Sequence, residues 1–377
     1  MNSETQTTGK QKRKKKLEEY NQTEPEQLAL VFRLDEEEKE QYSNSIELYD
    51  FMPKYVWNKV ERIQGQFLSP IKRYFECRGE KYTLVIKPAS IEEEGVFRHY
   101  FPSVREELVE DALRKVACEN SGVFLDDESA VTFTLYQLKK GLEDRKHGYN
   151  IVDIKKALYI LSETHLELST KDGGMVMKSN MLSALGLQAK EGWKGNGKKI
   201  KAFAIFNPMV TLAIKATKFR RLNYSTCMSI NNVIARQLYK RMVHHYTQAS
   251  IVAEPYTILL STMIRDFGLT QYSELRNNLR EVVQALEYLI LTDEKKEDSK
   301  EKNKKVDVIQ SYKVEKIINS SERNKLIDAK FIIQTSVAFN TEVRKANQIA
   351  KEKVLPDYKV KHHQLDWTST IHGKKKL

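Results

Sequence analysis

The stretch Tyr272–Leu291, YSELRNNLREVVQALEYLIL, decides the fold because its apolar residues recur with the period of an α-helix. At about 100° per residue they form one stripe, which comprises Leu275, Leu279, Val282, Val283, Leu286, Leu289 and Ile290. The opposite side gathers the polar residues Ser273, Arg276, Asn277, Arg280 and Gln284. The sequence therefore predicts an amphipathic helix over 272–291 that packs by its apolar face.

The outward face of this helix differs from a generic surface helix, which mixes lysine with glutamate. Arginine, asparagine and glutamine carry forked donors and acceptors that match guanine and adenine edges in the major groove. A preceding short helix and a turn at Gly268 favour a helix-turn-helix whose second helix enters the groove. We therefore expect DNA contacts along this face, and an ordinary solvated face is the alternative.

The surrounding segments follow the order of a winged helix, in which a helix, a turn and a second helix precede a hairpin. Residues 231–247 predict a long leading helix, and Tyr256–Phe267 runs into the Gly268 turn. The highly charged segment 292–306 is interpreted as an extended wing tip, and Lys330–Val337 as the closing strand.

The same order occurs earlier in the chain. The predicted elements are a helix over Val104–Glu119, a strand over Val131–Thr134, helices over Leu135–Asp144 and Ile151–Glu163, and a hairpin over 165–182. The two second helices share a pentapeptide, Ala157–Leu161 (ALYIL) and Ala285–Leu289 (ALEYL). The prediction is an α+β chain with two tandem winged-helix domains at 46–216 and 217–340. A disordered N-terminal region (1–45) and a basic C-terminal tail (341–377) are expected to flank them.

The second helix of the first domain predicts a weaker contact. Its outward residues, Lys155, Lys156 and Tyr159, suit DNA phosphates or a homodimer contact better than bases. Plain solvation is the alternative. Arg220 and Arg221, just before the second domain's leading helix, are further candidates for phosphate contacts.

The composition points to a polyanionic partner. The 377 residues carry a net charge of +12, and Lys10–Lys16 (KQKRKKK) forms a basic block. The chain shows no run of about 20 apolar residues and no apolar signal-peptide core, which predicts a cytoplasmic protein without a membrane partner. The scattered cysteines Cys77, Cys118 and Cys227 are expected to be buried apolar residues.

Two segments imitate enzyme motifs. Gly192–Lys198 imitates a phosphate-binding loop, but Lys199 stands where Ser or Thr must hold magnesium. His244-His245-Tyr246 suggests a nicking enzyme, but adjacent histidines on a strand would point apart, and here they fall in a helical stretch. The prediction is a protein that is not an enzyme and needs no cofactor or metal.

Two segments resemble the winged helices of theta-type plasmid replication initiators, most closely the broad-host-range type. They are Val131–Leu168 (VTFTLYQLKKGLEDRKHGYNIVDIKKALYILSETHLEL) and Leu222–Leu291. The resemblance implies binding to directly repeated origin sites (iterons), opening of an AT-rich element without an ATPase, and recruitment of the host helicase. It also implies repression as dimers and initiation as monomers, contact with the host chromosomal initiator, and base reading by Arg276, Asn277 and Arg280.

A short peptide outside both domains is similar to the motif by which bacterial proteins bind the replicative sliding clamp. It is Gln27–Phe32 (QLALVF), with Gln27, Leu28, Leu30 and Phe32 at the motif positions. A segment covering the first domain is the alternative. For the whole chain, the competing functions are a winged-helix transcriptional or partition regulator and an origin-nicking endonuclease.

Overall fold

Helices and strands alternate along the chain as a mixed α+β fold with two winged-helix units. The computed structural model describes residues 41–58, 68–125, 127–187, 201–216, 218–246, 254–291, 306–319, 321 and 325–352. The predicted fold class is confirmed in these residues. None of the helices among them is long and apolar enough to cross a membrane.

The first unit is built on a helical hairpin surrounded by strands. Its elements are β1 (Tyr42–Ser45), α1 (Glu47–Phe51), β2 (Ile71–Cys77), β3 (Glu80–Lys87), β4 (Ala89–Glu93), β5 (Val96–Tyr100), α2 (Val104–Val116), β6 (Gly122–Leu125), β7 (Glu128–Thr134), α3 (Leu135–Glu143), α4 (Ile151–Glu163), β8 (His165–Thr170), β9 (Val176–Asn180), β10 (Leu182–Leu187), β11 (Lys201–Phe206) and α5 (Pro208–Lys215).

Local sequence explains why α4 begins and ends where it does. The Asn150 side chain accepts a hydrogen bond from the Asp153 amide at 2.8 Å, which caps the N-terminus. The sequence predicts a buried stripe of Ile151, Ile154, Leu158 and Leu161; the last three are fully buried, whereas Ile151, in the first turn, is exposed. After Glu163 the chain turns into the strand β8, which pairs with β9 as the expected hairpin.

The first unit carries more sheet than a minimal winged helix. The hairpin β8–β9 pairs with β3 and so extends the order β2-β3-β8-β9, whereas β7 pairs with β11 in the order β10-β11-β7-β6. A separate hairpin, β4–β5, lies along α4. The strands β2 to β5 were not predicted, because most of their residues stay partly or fully exposed: β2 and β3 each bury two residues, β4 one and β5 none.

The second unit has the plain winged-helix order. Its elements are β12 (Arg220–Asn223), α6 (Tyr224–Ser229), α7 (Val233–His245), β13 (Tyr256–Leu259), α8 (Leu260–Asp266), α9 (Leu275–Tyr288), β14 (Ile309–Asn319), β15 (Lys325–Thr335) and α10 (Val337–Glu352). The sheet order is β13-β15-β14.

The prediction of a wing tip at 292–306 is wrong. The wing is the hairpin β14–β15, in which Asn319 pairs with Lys325, so its tip lies between these two residues. Residues 292–305 instead connect α9 to β14 and lie outside the described residues. Their charge was misleading because a highly charged segment suits any solvent-facing connection, not only a wing.

The two hydrophobic cores divide the chain slightly later than predicted. The first core runs from Ile46 to Met228 and the second from Leu222 to Val343, so they meet within α6 rather than at residue 216. The helix α10 also begins before the predicted tail at 341, because Phe339 and Val343, one turn apart, pack into the second core.

The start of the folded region also differs from the prediction. The strand β1 lies inside the predicted extension 1–45 and pairs antiparallel with β12 of the second unit, with Tyr42 opposite Asn223. This pairing joins segments far apart in sequence, and β1 itself is a short polar segment that gives no strand signal. The strand β1 therefore connects the two units.

Candidate nucleic-acid interface

The helix α9 presents the two faces that the sequence predicts. Leu279 is almost buried, and Val282 and Leu286 are completely buried against α7, α8 and β15. Arg276, Arg280 and Gln284 are exposed on the opposite side, and Asn277 is half-buried. The Arg280 guanidinium donates to Asn277 Oδ1 at 3.4 Å, so the two proposed base readers lie side by side.

The helix starts three residues later than predicted because Asn278 fixes the preceding turn. Its buried amide donates to the Thr270 carbonyl at 2.7 Å and accepts from the Tyr272 amide at 3.0 Å. These bonds hold residues 270–274 outside the helix, which begins at Leu275. Ser273 therefore lies in an exposed bend just before the helix rather than on it.

The first unit contacts the turn between α8 and α9. The indole of Trp57 donates to the Phe267 carbonyl at 2.6 Å, and the side-chain amide of Asn58 donates to the Thr270 hydroxyl. Gly268 adopts φ +63°, and a Cβ there would lie 2.5 Å from Arg73 Nη1. We call this set of contacts, made by Trp57, Asn58 and Arg73 on the turn, the turn clasp. No local pattern predicts it, because its partners are distant in sequence.

The wing extends the exposed face of α9. Helix and wing frame a groove of about 390 Å³ whose lining includes Arg276, Leu279, Arg280 and Val283 of α9 with Lys316 and Ile318 of β14. Cationic side chains surround an apolar floor. The helix and the wing therefore form one continuous surface that fits a polyanion.

The predicted contact residues of α4 are less available. The Lys156 ammonium pairs with Glu93 at 2.6 Å, donates to the Tyr100 hydroxyl at 3.0 Å and lies 4.1 Å from the centroid of the Tyr100 ring. Burial opposes the shift, but the hydrogen bonds that Lys156 donates to Glu93 and to the Tyr100 hydroxyl raise the pKa of Lys156. Lys155 is half-buried and Tyr159 is exposed. The hairpin β4–β5 thus neutralises one of the two lysines expected to contact phosphate.

The predicted phosphate contacts at Arg220 and Arg221 lie on the connecting strand β12. Arg220 donates to the Asn347 side chain and, at 3.5 Å, to the Tyr246 carbonyl, and burial lowers its pKa. The guanidinium of Arg221 lies 5.8 Å from the centre of the Tyr42 ring. Both side chains are half-buried and contact neighbouring elements, so a phosphate would compete with these contacts.

Two residues of the segment that imitates a nicking site are buried, and His245 between them is exposed. His244 lies in α7, is almost completely buried and bonds through Nε2 to the Ser45 hydroxyl at 2.7 Å. The Tyr246 hydroxyl donates to the Glu254 carbonyl at 2.9 Å. In the part of the chain that the structure describes, no group of His, Cys, Asp and Glu side chains could hold a metal ion.

Other sequence predictions have mixed outcomes. The three cysteines are buried and unpaired, as expected. The candidate clamp peptide, with Gln27, Leu28, Leu30 and Phe32, lies outside the described residues, and so does the segment 192–198. The contacts proposed for these segments stay predictions.

Comparisons with known proteins give fold-level likeness alone. No family model matches the chain, and no curated protein matches it. Two crystal structures of domains 2 and 3 of RctB align with TM-scores of 0.44 and 0.42 at 11% and 12% identity, covering 72% and 74% of this chain and 93% and 96% of theirs. A structure of the Pi initiator protein in complex with iteron DNA aligns with a TM-score of 0.39 at 12% identity, covering 62% of this chain and 90% of its own.

These likenesses concern the fold of the described chain and not its function.

Proposed function

We propose that this chain is a plasmid replication initiator that binds directly repeated sites in duplex DNA through α9 and the wing. The single observation that carries the proposal is the outward face of α9, where Arg276, Asn277, Arg280 and Gln284 lie beside the cationic groove of the wing. The role in replication, as distinct from DNA binding, comes from the sequence resemblance.

The spacing of these side chains suits base reading. Arg276 and Arg280 are four residues apart, so a rise of about 1.5 Å per residue separates them by about 6 Å along the helix axis. Base pairs stack about 3.4 Å apart, so the two guanidinium groups reach bases about two steps apart. Arginine pairs bidentately with guanine and asparagine with adenine. Asn277, held beside Arg280, is suited to an adenine between or next to the guanines.

The remaining steps of initiation are part of the same proposal. The chain acts in the bacterial cytoplasm without hydrolysing nucleotide, and binding and distortion of DNA supply the free energy for opening an AT-rich element. The sliding clamp is expected to bind Gln27–Phe32, and the helicase and the host chromosomal initiator are expected partners. A homodimer is expected to repress its own promoter.

Footprinting on the DNA that flanks the gene tests the proposal. An initiator protects an array of direct repeats next to an AT-rich tract and makes that tract reactive to permanganate without ATP. A transcriptional or partition regulator protects a single inverted site or a promoter and opens nothing. Relaxation of supercoiled plasmid in the presence of magnesium would instead identify a nicking endonuclease.

A further inference from the structure

The two units enclose a second groove beside the turn between α8 and α9. The strand β2 of the first unit forms one wall, and α8, the turn and the start of α9 belong to the other. The volume of the groove is about 370 Å³, and its lining includes Lys72, Arg73, Tyr74, Arg265 and Gly268. Among the described residues that line it, none is acidic. We call this feature the inter-unit groove.

One end of β2 is docked on α8. Within the described residues, β2 is an edge strand of the sheet β2-β3-β8-β9. Near its C-terminal end, the Glu76 amide donates to Asp266 Oδ1 at 3.4 Å, and the Glu76 carboxylate lies 3.6 Å from the Arg265 guanidinium. The groove opens along the N-terminal part of β2, which carries Lys72.

The free edge of β2 brings backbone donors to this groove. In an antiparallel strand the amide and the carbonyl of one residue point to the same edge, and successive residues alternate between the two edges. The register of β2 with β3 is regular from Ile71 to Cys77. Because the Glu76 amide points away from β3 towards α8, the amides of Tyr74 and Lys72 face the same free edge. Backbone amides are among the donors that proteins use for DNA phosphates.

Two cations of the inter-unit groove have no carboxylate partner among the described residues. The Lys72 side chain is exposed, and its ammonium lies 5.5 Å from the centre of the Tyr74 ring, which is itself 58% exposed. The Arg73 guanidinium donates to the neutral carbonyls of Pro53 and Tyr55 at 2.5 and 2.6 Å. Burial lowers the pKa of Arg73 to about 10, so it stays charged at neutral pH. The groove therefore holds two positive charges that an anion would balance.

We propose that the inter-unit groove binds a phosphate of the DNA backbone through Lys72 and the free edge of β2. This inference rests on the proposed function, because it takes α9 to lie in the major groove. In a helix-turn-helix the first helix crosses the DNA backbone while the second reads the bases. The first helix here is α8, so the DNA strand that borders the major groove passes over the groove between α8 and β2. The first unit thereby contacts the same DNA segment as α9.

A free anion fits the inter-unit groove less well. Lys72 is exposed at the groove, and a single exposed ion pair contributes little on its own. A phosphate of a duplex that α9 already binds is held next to the groove, so its effective concentration there is high. The position beside the recognition helix therefore favours a backbone phosphate.

The test uses the full-length chain and removes one lysine at a time. Lys72→Ala removes the proposed contact, and Lys171→Ala is the control. Lys171 is exposed after β8, and its amide donates to the Lys81 carbonyl at 3.0 Å, at the opposite end of the sheet from Lys72. Both variants lose one positive charge, and neither should unfold the chain because both side chains are exposed.

Affinity is measured at several salt concentrations for the repeat protected in the footprint and for a scrambled repeat. Lys72→Ala should bind both DNAs roughly fivefold more weakly. It should also lower the slope of the logarithm of the binding constant against the logarithm of the salt concentration by about 0.9, the value of one phosphate contact. Lys171→Ala should match the unmodified chain. Unchanged affinity and slope in Lys72→Ala would overturn the inference.

Single methylphosphonate linkages, which carry no charge, locate the phosphate. Each duplex carries one such linkage at a different position of the repeat. At one position beside the bases that α9 contacts, the neutral linkage should weaken binding of the unmodified chain and of Lys171→Ala. It should leave binding of Lys72→Ala unchanged there, because that variant has already lost the contact. Equal sensitivity of the three proteins at every position would overturn the inference, and altered self-association of Lys72→Ala in that case would assign the groove to a protein contact.

Failure of the proposed function gives a different result. An unmodified chain that protects no DNA in the footprint removes the basis for both proposals. If Arg280→Ala loses discrimination between the repeat and scrambled DNA while Lys72→Ala binds both DNAs as the unmodified chain does, base reading by α9 stands and only the inference about the inter-unit groove is refuted.

Discussion

Arg236 of α7 donates two hydrogen bonds to Glu107 Oε2 of α2, from Nη2 at 2.6 Å and from Nε at 3.1 Å, and both side chains are completely buried. Lys240 adds a bond to Glu107 Oε1 at 3.0 Å and another to Asp111 at 2.6 Å. Burial alone would raise the pKa of Glu107, but Arg236 and Lys240 hold it at about 2. The leading helices of the two units are thus joined by buried ion pairs.

Removing one charge from this cluster should be costly. We expect Glu107→Gln to lower the free energy of unfolding by about 3–5 kcal/mol, because it leaves the buried Arg236 guanidinium without its carboxylate. Denaturant unfolding at neutral pH measures the change. Glu163→Gln, at the exposed end of α4, is the matched control and should stay within about 0.5 kcal/mol of the unmodified chain. A loss as small as that of the control would show that the ion pairs do not hold the units together.

The buried His244 should make the fold sensitive to mild acid. Burial lowers its pKa to about 3, although the nearby Asp50 carboxylate opposes this effect. The unfolded chain protonates this histidine near pH 6.5 and the folded chain does not, so stability is complete above pH 6.5 and falls as the pH drops towards 3. The expected slope is up to about 1.4 kcal/mol per pH unit for one proton.

His244→Gln isolates this contribution. Between pH 6.5 and about 4.5 the variant should lose stability more gently than the unmodified chain, because the two proteins share every other titrating group and differ in His244 alone. His147 and His245, whose pKa values burial also lowers, should maintain a smaller slope. Denaturant unfolding at several pH values gives both slopes. Equal slopes in the two proteins would mean that His244 is protonated in the fold.

Gly268 tests the turn clasp. We expect Gly268→Ala to destabilise the fold by about 1–3 kcal/mol, because a non-glycine residue at positive φ is strained. Its Cβ would also crowd Arg73 Nη1. Binding to the DNA repeat should weaken as well, since the turn orients α9. Gly148→Ala is the control, because a Cβ there meets no atom within 4 Å and φ is not positive. Thermal unfolding and a DNA-binding titration compare the two variants. If Gly268→Ala loses no more stability and no more DNA affinity than Gly148→Ala, the turn clasp does not orient α9.

Elements fixed by local signals were predicted well from the sequence. The helix α4 matches its predicted bounds because Asn150 caps it and a regular apolar stripe runs along it. The two faces of α9 were predicted because amphipathic periodicity does not depend on tertiary context. Its start was misplaced, because the Asn278 bonds that hold the turn are visible only in the folded chain.

Features that depend on long-range contacts were missed. The strand β1 finds its partner in β12, Lys156 finds Glu93 on a separate hairpin, and Trp57 contacts the turn of the other unit. The position of the wing was missed because β14 has exposed isoleucines and lysines where a regular strand pattern would alternate. These contacts determine which of the predicted side chains are available to DNA.

Competition binding at fixed salt, with the protected repeat against a scrambled repeat, tests base reading by α9 most directly. Arg280→Ala and Arg276→Ala should each weaken binding to the repeat by about 1–3 kcal/mol and change binding to scrambled DNA much less. Lys155→Ala should instead weaken binding to both DNAs alike. It should also lower the slope of the logarithm of the binding constant against the logarithm of the salt concentration by about the value of one phosphate contact. Equal losses on both DNAs for the two arginine variants would contradict the account, because they would show that α9 contacts phosphate or solvent rather than bases.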